Sequence, residues 1–181
     1  MNPHCRIMQP SRSVDLSDNR SEAARKDVLN LYGNRLRLRV CGLYRVEDRL
    51  LLVRHRGVGP AGSFWSPPGG GAQFGESAPV ALKREFAEET GLAIRVGELL
   101  FVNEFIAAPL HALELFFAVQ ATGGLLTKGI DPEMNLNNQI IDEVRFMSFA
   151  EIKSHPAEEM HALFRCCQSL DDVFQLRGYL H

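Results

Sequence analysis

The 23 residues from Gly70 to Leu92, GGAQFGESAPVALKREFAEETGL, join a glycine-rich turn to a helix crowded with carboxylates. The run PPGGG, Pro67 to Gly71, leads in. Glu76 follows, then Arg84, Glu85, Glu88 and Glu89, and Gly91 closes the segment. Carboxylates gathered this closely repel one another unless a cation lies between them. The pattern therefore implies a divalent metal and the phosphate oxygens such a metal handles.

The local geometry follows from residue types. Ser77 stands where an N-cap belongs, and Pro79 falls in the first turn, where its missing N–H costs little. Gly91 can take the positive φ that ends a helix. Between them Pro79, Leu82, Phe86 and Thr90 keep the spacing of a buried stripe. Glu85, Glu88 and Glu89 stand at i, i+3 and i+4, so they share a neighbouring face bordered by Arg84. Three acids on one helix face, taken alone, describe a solvated surface with weak ion pairs. Glycine turn, isolated glutamate, capped helix, Arg-Glu and Glu-Glu pairs in one register argue for a site.

This segment resembles the Nudix box, in which Gly, Glu, Arg-Glu-hydrophobic, Glu-Glu and Gly-hydrophobic recur at set spacings. Gly70, Glu76, Arg84, Glu85, Phe86, Glu88, Glu89, Gly91 and Leu92 meet every such position, and Trp65 to Gly69 is similar to the family lead-in. The resemblance implies an α/β fold, an α/β/α sandwich with a mixed sheet. It also implies a pyrophosphatase-type hydrolase, dependent on Mg²⁺ or Mn²⁺, acting on a nucleoside diphosphate linked to another group. By the same resemblance the Gly69 carbonyl joins Glu76, Glu85, Glu88 and Glu89 around the metal, and Gly70 and Gly71 meet the substrate. Arg84 organises the carboxylates. Glu85, Glu88, Arg84 and Glu133 form the catalytic set. The general base is Glu85 or an acid on a distant element, with Glu133, its neighbour Asp131, and Glu143 as candidates.

Several other residues have both a functional and a structural reading. Arg54 and Arg56 flank His55 just before a glycine-rich loop, and guanidinium groups there suit substrate phosphate or ribose. Arg35, Arg37 and Arg39 fit a solvated strand face better, and Trp65 fits packing beneath the glycine turn. His111 has no partner that spacing reveals. A lean toward ADP-ribose or another nucleotide sugar rests on loose similarity around HALELFF. The alternative is a non-catalytic, nucleotide-sensing Nudix domain, although sensors commonly lose box acids. Isopentenyl diphosphate isomerase shares the fold but needs a reactive cysteine, and Cys41 sits in an early strand without a catalytic setting.

With 181 residues and 45% hydrophobic content, the chain can bury one substantial core. A net charge of −2 gives no basic field for nucleic acid, and no apolar run is long enough to span a membrane. The N-terminus lacks the hydrophobic core of a secretory signal, so a cytoplasmic setting is expected. Cys5, Cys41, Cys166 and Cys167 have no metal-ligand spacing and are expected reduced, with the adjacent pair in a helix.

Residues 1–34 read as an N-terminal arm, flexible over 1–20, with 21–31 suited to a short helix; the extra length of the arm and first strands suggests their exchange across a homodimer. Residues 35–181 read as the Nudix domain. Within it, 35–42 and 50–54 are strands expected to form a hairpin, the first with one wet face. A loop over 57–63 and the box helix follow. Strands are expected at 93–105, 113–121 and 140–147, a long loop at 123–138, and helices at 149–154 and 157–170.

Overall fold

The computed structural model describes residues 19–59, 61–132 and 139–181. The expected flexible arm (apart from residues 19 and 20), Cys5 and Glu133 lie outside the described residues. Helix α1 (Asn19–Tyr32) is longer than the expected short helix and precedes strands β1 (Arg35–Leu43), β2 (Arg45–Val46), β3 (Arg49–Arg56), β4 (Ser63–Ser66) and β5 (Gly69–Gly71). Helix α2 (Ala78–Thr90) carries the acidic segment. Strands β6 (Leu92–Ala107), β7 (Leu110–Gly124) and β8 (Ile141–Ser148) follow, then helices α3 (Phe149–Ser154) and α4 (Leu170–Gln175) and strand β9 (Gly178–Leu180).

The strands form two sheets. One is mixed, in the order β5-β1-β7-β6-β9, with β1 parallel to β7 and β6 parallel to β9. The other is antiparallel, with β3 pairing β2, β4 and β8. Side chains alternate across a strand, and both faces of these sheets are covered. Val40, Leu51, Phe117 and Val119 pack with Ala81, Leu82 and Phe86 of α2. Cys41, Leu43, Leu50, Leu52 and Phe116 pack on the other side with Ile152, Leu163, Phe164 and Val173. The result is the expected mixed α/β fold with helices on both faces.

Several local expectations are corrected. Residues 35–42 and 50–54 do not pair as a hairpin: β1 lies between β5 and β7 in one sheet, and β3 lies between β4 and β8 in the other. Only the short β2 folds back on β3, at Arg45–Leu50 and Val46–Arg49. The basic–apolar alternation of β1 is real, and Arg35 is exposed as expected, but farther along the strand Leu36 is 62% exposed and Leu38 45%, whereas Arg37 and Arg39 are half-buried. The cause lies across the ladder, where Arg39 is in register with the buried Glu114. On α2 the exposed Pro79 is absent from the buried stripe, which takes Ala81 instead.

The expected helix over 157–170 is not formed. Its backbone is used otherwise: the Trp65 amide donates to the Glu159 carbonyl at 2.6 Å, and the His161 amide donates to the Trp65 carbonyl at 2.9 Å. That pairing lays Met160 beside Trp65 of β4 as a parallel bridge. Only a short 3₁₀ turn at Ala162–Phe164 and the later α4 are helical, so Cys166 and Cys167 lie outside a helix. Cys41, Cys166 and Cys167 are free thiols. Among the described residues no helix is long and apolar enough to cross a membrane.

Candidate active site

Helix α2 sits against β1, β5 and β6, so its polar edge meets the glycine turn. Ser77 precedes it in extended conformation, Pro79 lies in its first turn, and Gly91 ends it at φ 71°. Leu82, Phe86 and Thr90 anchor the helix in the core. That packing carries Glu85 and Glu89 inward as well, so both are buried, while Glu76 and Glu88 are half-buried.

Arg84 is the hub of the acidic face. Its Nε donates to Glu76 Oε1 at 3.1 Å and its Nη2 to Glu76 Oε2 at 3.0 Å, a two-point grip. Its Nη1 donates to Glu85 Oε1 at 2.8 Å and to Glu88 Oε2 at 3.1 Å. The Gly71 carbonyl accepts from Nη2 at 3.0 Å. The hydrogen bond from Arg84 holds the Glu76 carboxyl below its usual range. Glu85 moves the other way: burial, reinforced by the charge of Glu89, pushes it up to about 7 despite Arg84. The Glu85 carboxylate lies over Gly70, where an added Cβ would come within 2.3 Å of Oε2. Gly70 is therefore a requirement of close approach.

Glu89 joins the helix to the turn. Its Oε2 accepts from the Gly69 amide at 2.8 Å, and its Oε1 lies 3.3 Å from His55 Nε2 on β3. The Gly69 carbonyl in turn accepts from Arg39 Nη2 at 3.3 Å. Arg39 Nε lies 3.4 Å from Glu114 Oε1, and Glu114 Oε2 is 2.9 Å from both His161 Nε2 and Asn103 Nδ2. Burial opposes the charge on Glu114, but His161, Arg39 and Asn103 outweigh it and hold the carboxyl at about 2. One polar chain thus runs from the C-terminal segment to the acidic helix.

The loop after β7 is tied to the end of α2. Amides of Thr127, Gly129 and Ile130 donate to the carbonyls of Thr90, Glu89 and Glu88 at 2.9, 2.9 and 3.2 Å. Gln139 clamps the Asp131 backbone, accepting from its amide at 2.7 Å and donating to its carbonyl at 2.9 Å.

Other expected site residues are placed elsewhere. Arg54 pairs with Asp142 at 2.6 Å and Glu143 at 3.3 Å, and it shares the sheet face of Leu50 and Leu52 rather than that of α2. Arg56 donates to the Gln139 carbonyl at 3.3 Å. Glu143 is occupied by Arg54 and Arg145. Trp65 is buried in the core, with the Arg54 and Arg145 guanidinium groups 5.5 and 5.3 Å from its ring centre. His111 does have a partner, Glu104, at 2.9 Å across the β6–β7 hairpin. Burial and the charge of Glu114 push the Cys41 thiol up, which makes it a poor nucleophile. Sequence reasoning missed the links of His55 to Glu89 and of His161 to Glu114. The one available signal was an acid, Glu114, inside the apolar run HALELFF, which requires a buried partner.

A family model described as NUDIX domain matches residues 33–165. The chain belongs to the Nudix family. An ADP-ribose pyrophosphatase of Methanocaldococcus jannaschii is 31% identical over 105 residues, covering 55% of this chain and 62% of that protein. The match thus spans less than two thirds of that relative. A NUDIX hydrolase from Nitrosomonas europaea superposes with a TM-score of 0.61 at 24% identity, covering 76% of this chain and 88% of that one. A MutT NUDIX hydrolase from Burkholderia pseudomallei gives 0.59 at 22% identity, covering 78% and 98%. These two likenesses establish the fold.

Among the described residues of this Nudix domain, no three His, Cys, Asp or Glu groups converge as a ready metal cage. Arg84 stands among Glu76, Glu85 and Glu88 instead. The donor set still fits a hard divalent cation, being all oxygen and anionic. The raised Glu85 carboxyl points the same way, since its burial beside the charge of Glu89 outweighs the contact with Arg84. A surface cavity of about 550 Å³ between α3, α4 and the β2–β3 turn is lined by none of these acids and belongs to no part of the site.

Proposed function

We propose that this Nudix domain hydrolyses the diphosphate linkage of a nucleoside diphosphate joined to another group, with Mg²⁺ or Mn²⁺, and that ADP-ribose is the first substrate to try. The carrying observation is the carboxylate face of α2, gripped by Arg84 and pressed on a glycine that leaves no room for a side chain. The named activity of the 31%-identical relative supports the choice of substrate.

In this reading Glu76, Glu85, Glu88 and Glu89, with the Gly69 carbonyl, would hold the cation. A cation held there would supply positive charge to the phosphoryl oxygens and to the attacking water. Glu85, held over Gly70 at the turn, would accept the proton of the attacking water at its carboxylate. Arg84 keeps the acids oriented, and Glu89, bonded to Gly69 and His55, fixes the turn against the helix. Gly70 and Gly71 leave the approach to the diphosphate unobstructed.

The test is a panel of nucleoside diphosphate derivatives assayed with Mg²⁺ and with Mn²⁺, beside a Glu88→Gln control. Cleavage to two phosphate-bearing products, lost in the folded control, is expected. Tight binding of a nucleotide without any turnover would instead favour a sensing role.

A further inference from the structure

Gly69 is pinned from two sides. A Cβ there would lie 2.0 Å from the Val40 carbonyl oxygen, so β1 passes too close for any side chain. A residue without a Cβ can swing its peptide planes unless hydrogen bonds hold them. Glu89 Oε2 takes the Gly69 amide at 2.8 Å, and Arg39 Nη2 donates to the Gly69 carbonyl at 3.3 Å. The first bond comes from the acidic helix. The second comes from β1, and what steadies it lies on other strands and in the C-terminal segment.

Arg39 is itself held. Its register neighbour on β7 is Glu114, whose Oε1 lies 3.4 Å from Arg39 Nε. Glu114 Oε2 accepts at 2.9 Å from Asn103, its register neighbour on β6, and lies 2.9 Å from His161 Nε2. His161 Nδ1 accepts from the Leu163 amide at 3.2 Å, which leaves the ring proton on Nε2, directed at Glu114. The His161 ring also packs edge-on against Phe116, with 5.3 Å between ring centres. Glu114, His161 and Asn103 are all buried. Burying a carboxylate with its partners is costly, and apolar residues of the same volume often stabilise a core as well or better. What an apolar set would not supply is a guanidinium aimed at the Gly69 carbonyl.

We propose that Arg39, steadied by Glu114 and His161, is a positioning residue that holds the Gly69 carbonyl in the direction from which it would meet a divalent cation. The proposal rests on the metal-dependent hydrolase reading and extends that site through β1 and β7 to the C-terminal segment. A carbonyl oxygen has two lone pairs, so one accepts from Arg39 while the other is left for the cation. Residues that orient a ligand from behind in this way change metal affinity without touching the metal.

Two measurements on the full chain test it: Mn²⁺ binding without substrate, read from the paramagnetic resonance of the free ion, and kcat and KM for ADP-ribose at saturating Mg²⁺. Arg39→Lys keeps a positive charge near Glu85 and Glu89 but lacks the planar fork that spans Gly69 and Glu114, so it reads geometry. Mn²⁺ binding should weaken by about tenfold or more. The kcat should fall with it while KM stays within about threefold, since Arg39 acts through the turn. Glu114→Gln should weaken Mn²⁺ binding in the same direction. The double variant should bind no more weakly than the weaker single, because both changes act on one carbonyl. Wild-type Mn²⁺ affinity in Arg39→Lys, with only the melting temperature lowered, would make the network structural and overturn the proposal while leaving the hydrolase reading intact. If Arg39→Lys does not fold, Glu114→Gln decides by the same readout. Mn²⁺ binding that depends on Arg39 in a protein that cleaves nothing would support the positioning role and sink the hydrolase reading, and a wild-type chain that binds no Mn²⁺ would overturn both.

Discussion

The amide of Gly69 donates to Oε2 of Glu89 at 2.8 Å, so one carboxylate of the acidic helix is bound to the backbone of the turn that faces it. The turn and the helix therefore cannot shift independently. The other oxygen of Glu89 lies against His55, which brings β3 of the second sheet into the same arrangement.

Removing that carboxylate orphans a buried amide. Glu89→Ala should cost about 1–3 kcal/mol of folding stability, the usual penalty for an unsatisfied buried donor. Urea denaturation without added metal measures it, and an unchanged midpoint would show that the Gly69 contact contributes nothing.

Gly70→Ala would place a methyl group 2.3 Å from Glu85 Oε2. The carboxylate must then move away from the turn. Turnover should fall by about a hundredfold, as expected for misplacement of about 1 Å near the chemistry. Steady-state kinetics beside circular dichroism separates this displacement from unfolding.

Arg84 is the only guanidinium that touches Glu76, Glu85 and Glu88 together among the described residues. Arg84→Ala leaves those charges mutually repelling, and a divalent cation is the remedy available to them. The variant should melt at lower temperature than wild type in chelator, and Mg²⁺ should recover more of its melting temperature than it adds to wild type. A thermal-shift series over Mg²⁺ concentration gives the comparison; equal Mg²⁺ effects in both proteins would contradict it.

Glu114 supplies the acid-stability prediction. Its folded carboxyl is held at about 2 against an ordinary value of 4.5, so folding favours the ionised form. The contribution is complete above about pH 4.5 and is lost as pH falls toward about 2, on the order of 3 kcal/mol at most. Glu114→Gln should be less stable at neutral pH and lose less further stability on acidification. Denaturant titrations from about pH 6 down to about pH 2.5 read the slope directly.

Much of this was legible in the chain itself. The spacing of Leu82, Phe86 and Thr90 placed one side of α2 in the core, and Gly91 marked its end, because periodicity and backbone freedom are local properties. The same locality explains the errors. Nothing near residues 157–170 signals that their backbone will pair with Trp65, so a helix was the default. The alternation in β1 was seen, but which half faces water depends on Glu114, more than seventy residues away.

The order of residues by itself determined the acidic face, its helix and the family, since each follows from spacings within a few turns of chain. Only the tertiary structure decided which partners those acids have: Arg84 among three of them, Gly69 and His55 on Glu89, and Arg39 between Gly69 and Glu114. Hydrogen bonds and stacking reach only a few ångströms, whereas the residues that make them are scattered over the chain, and folding alone brings them within range.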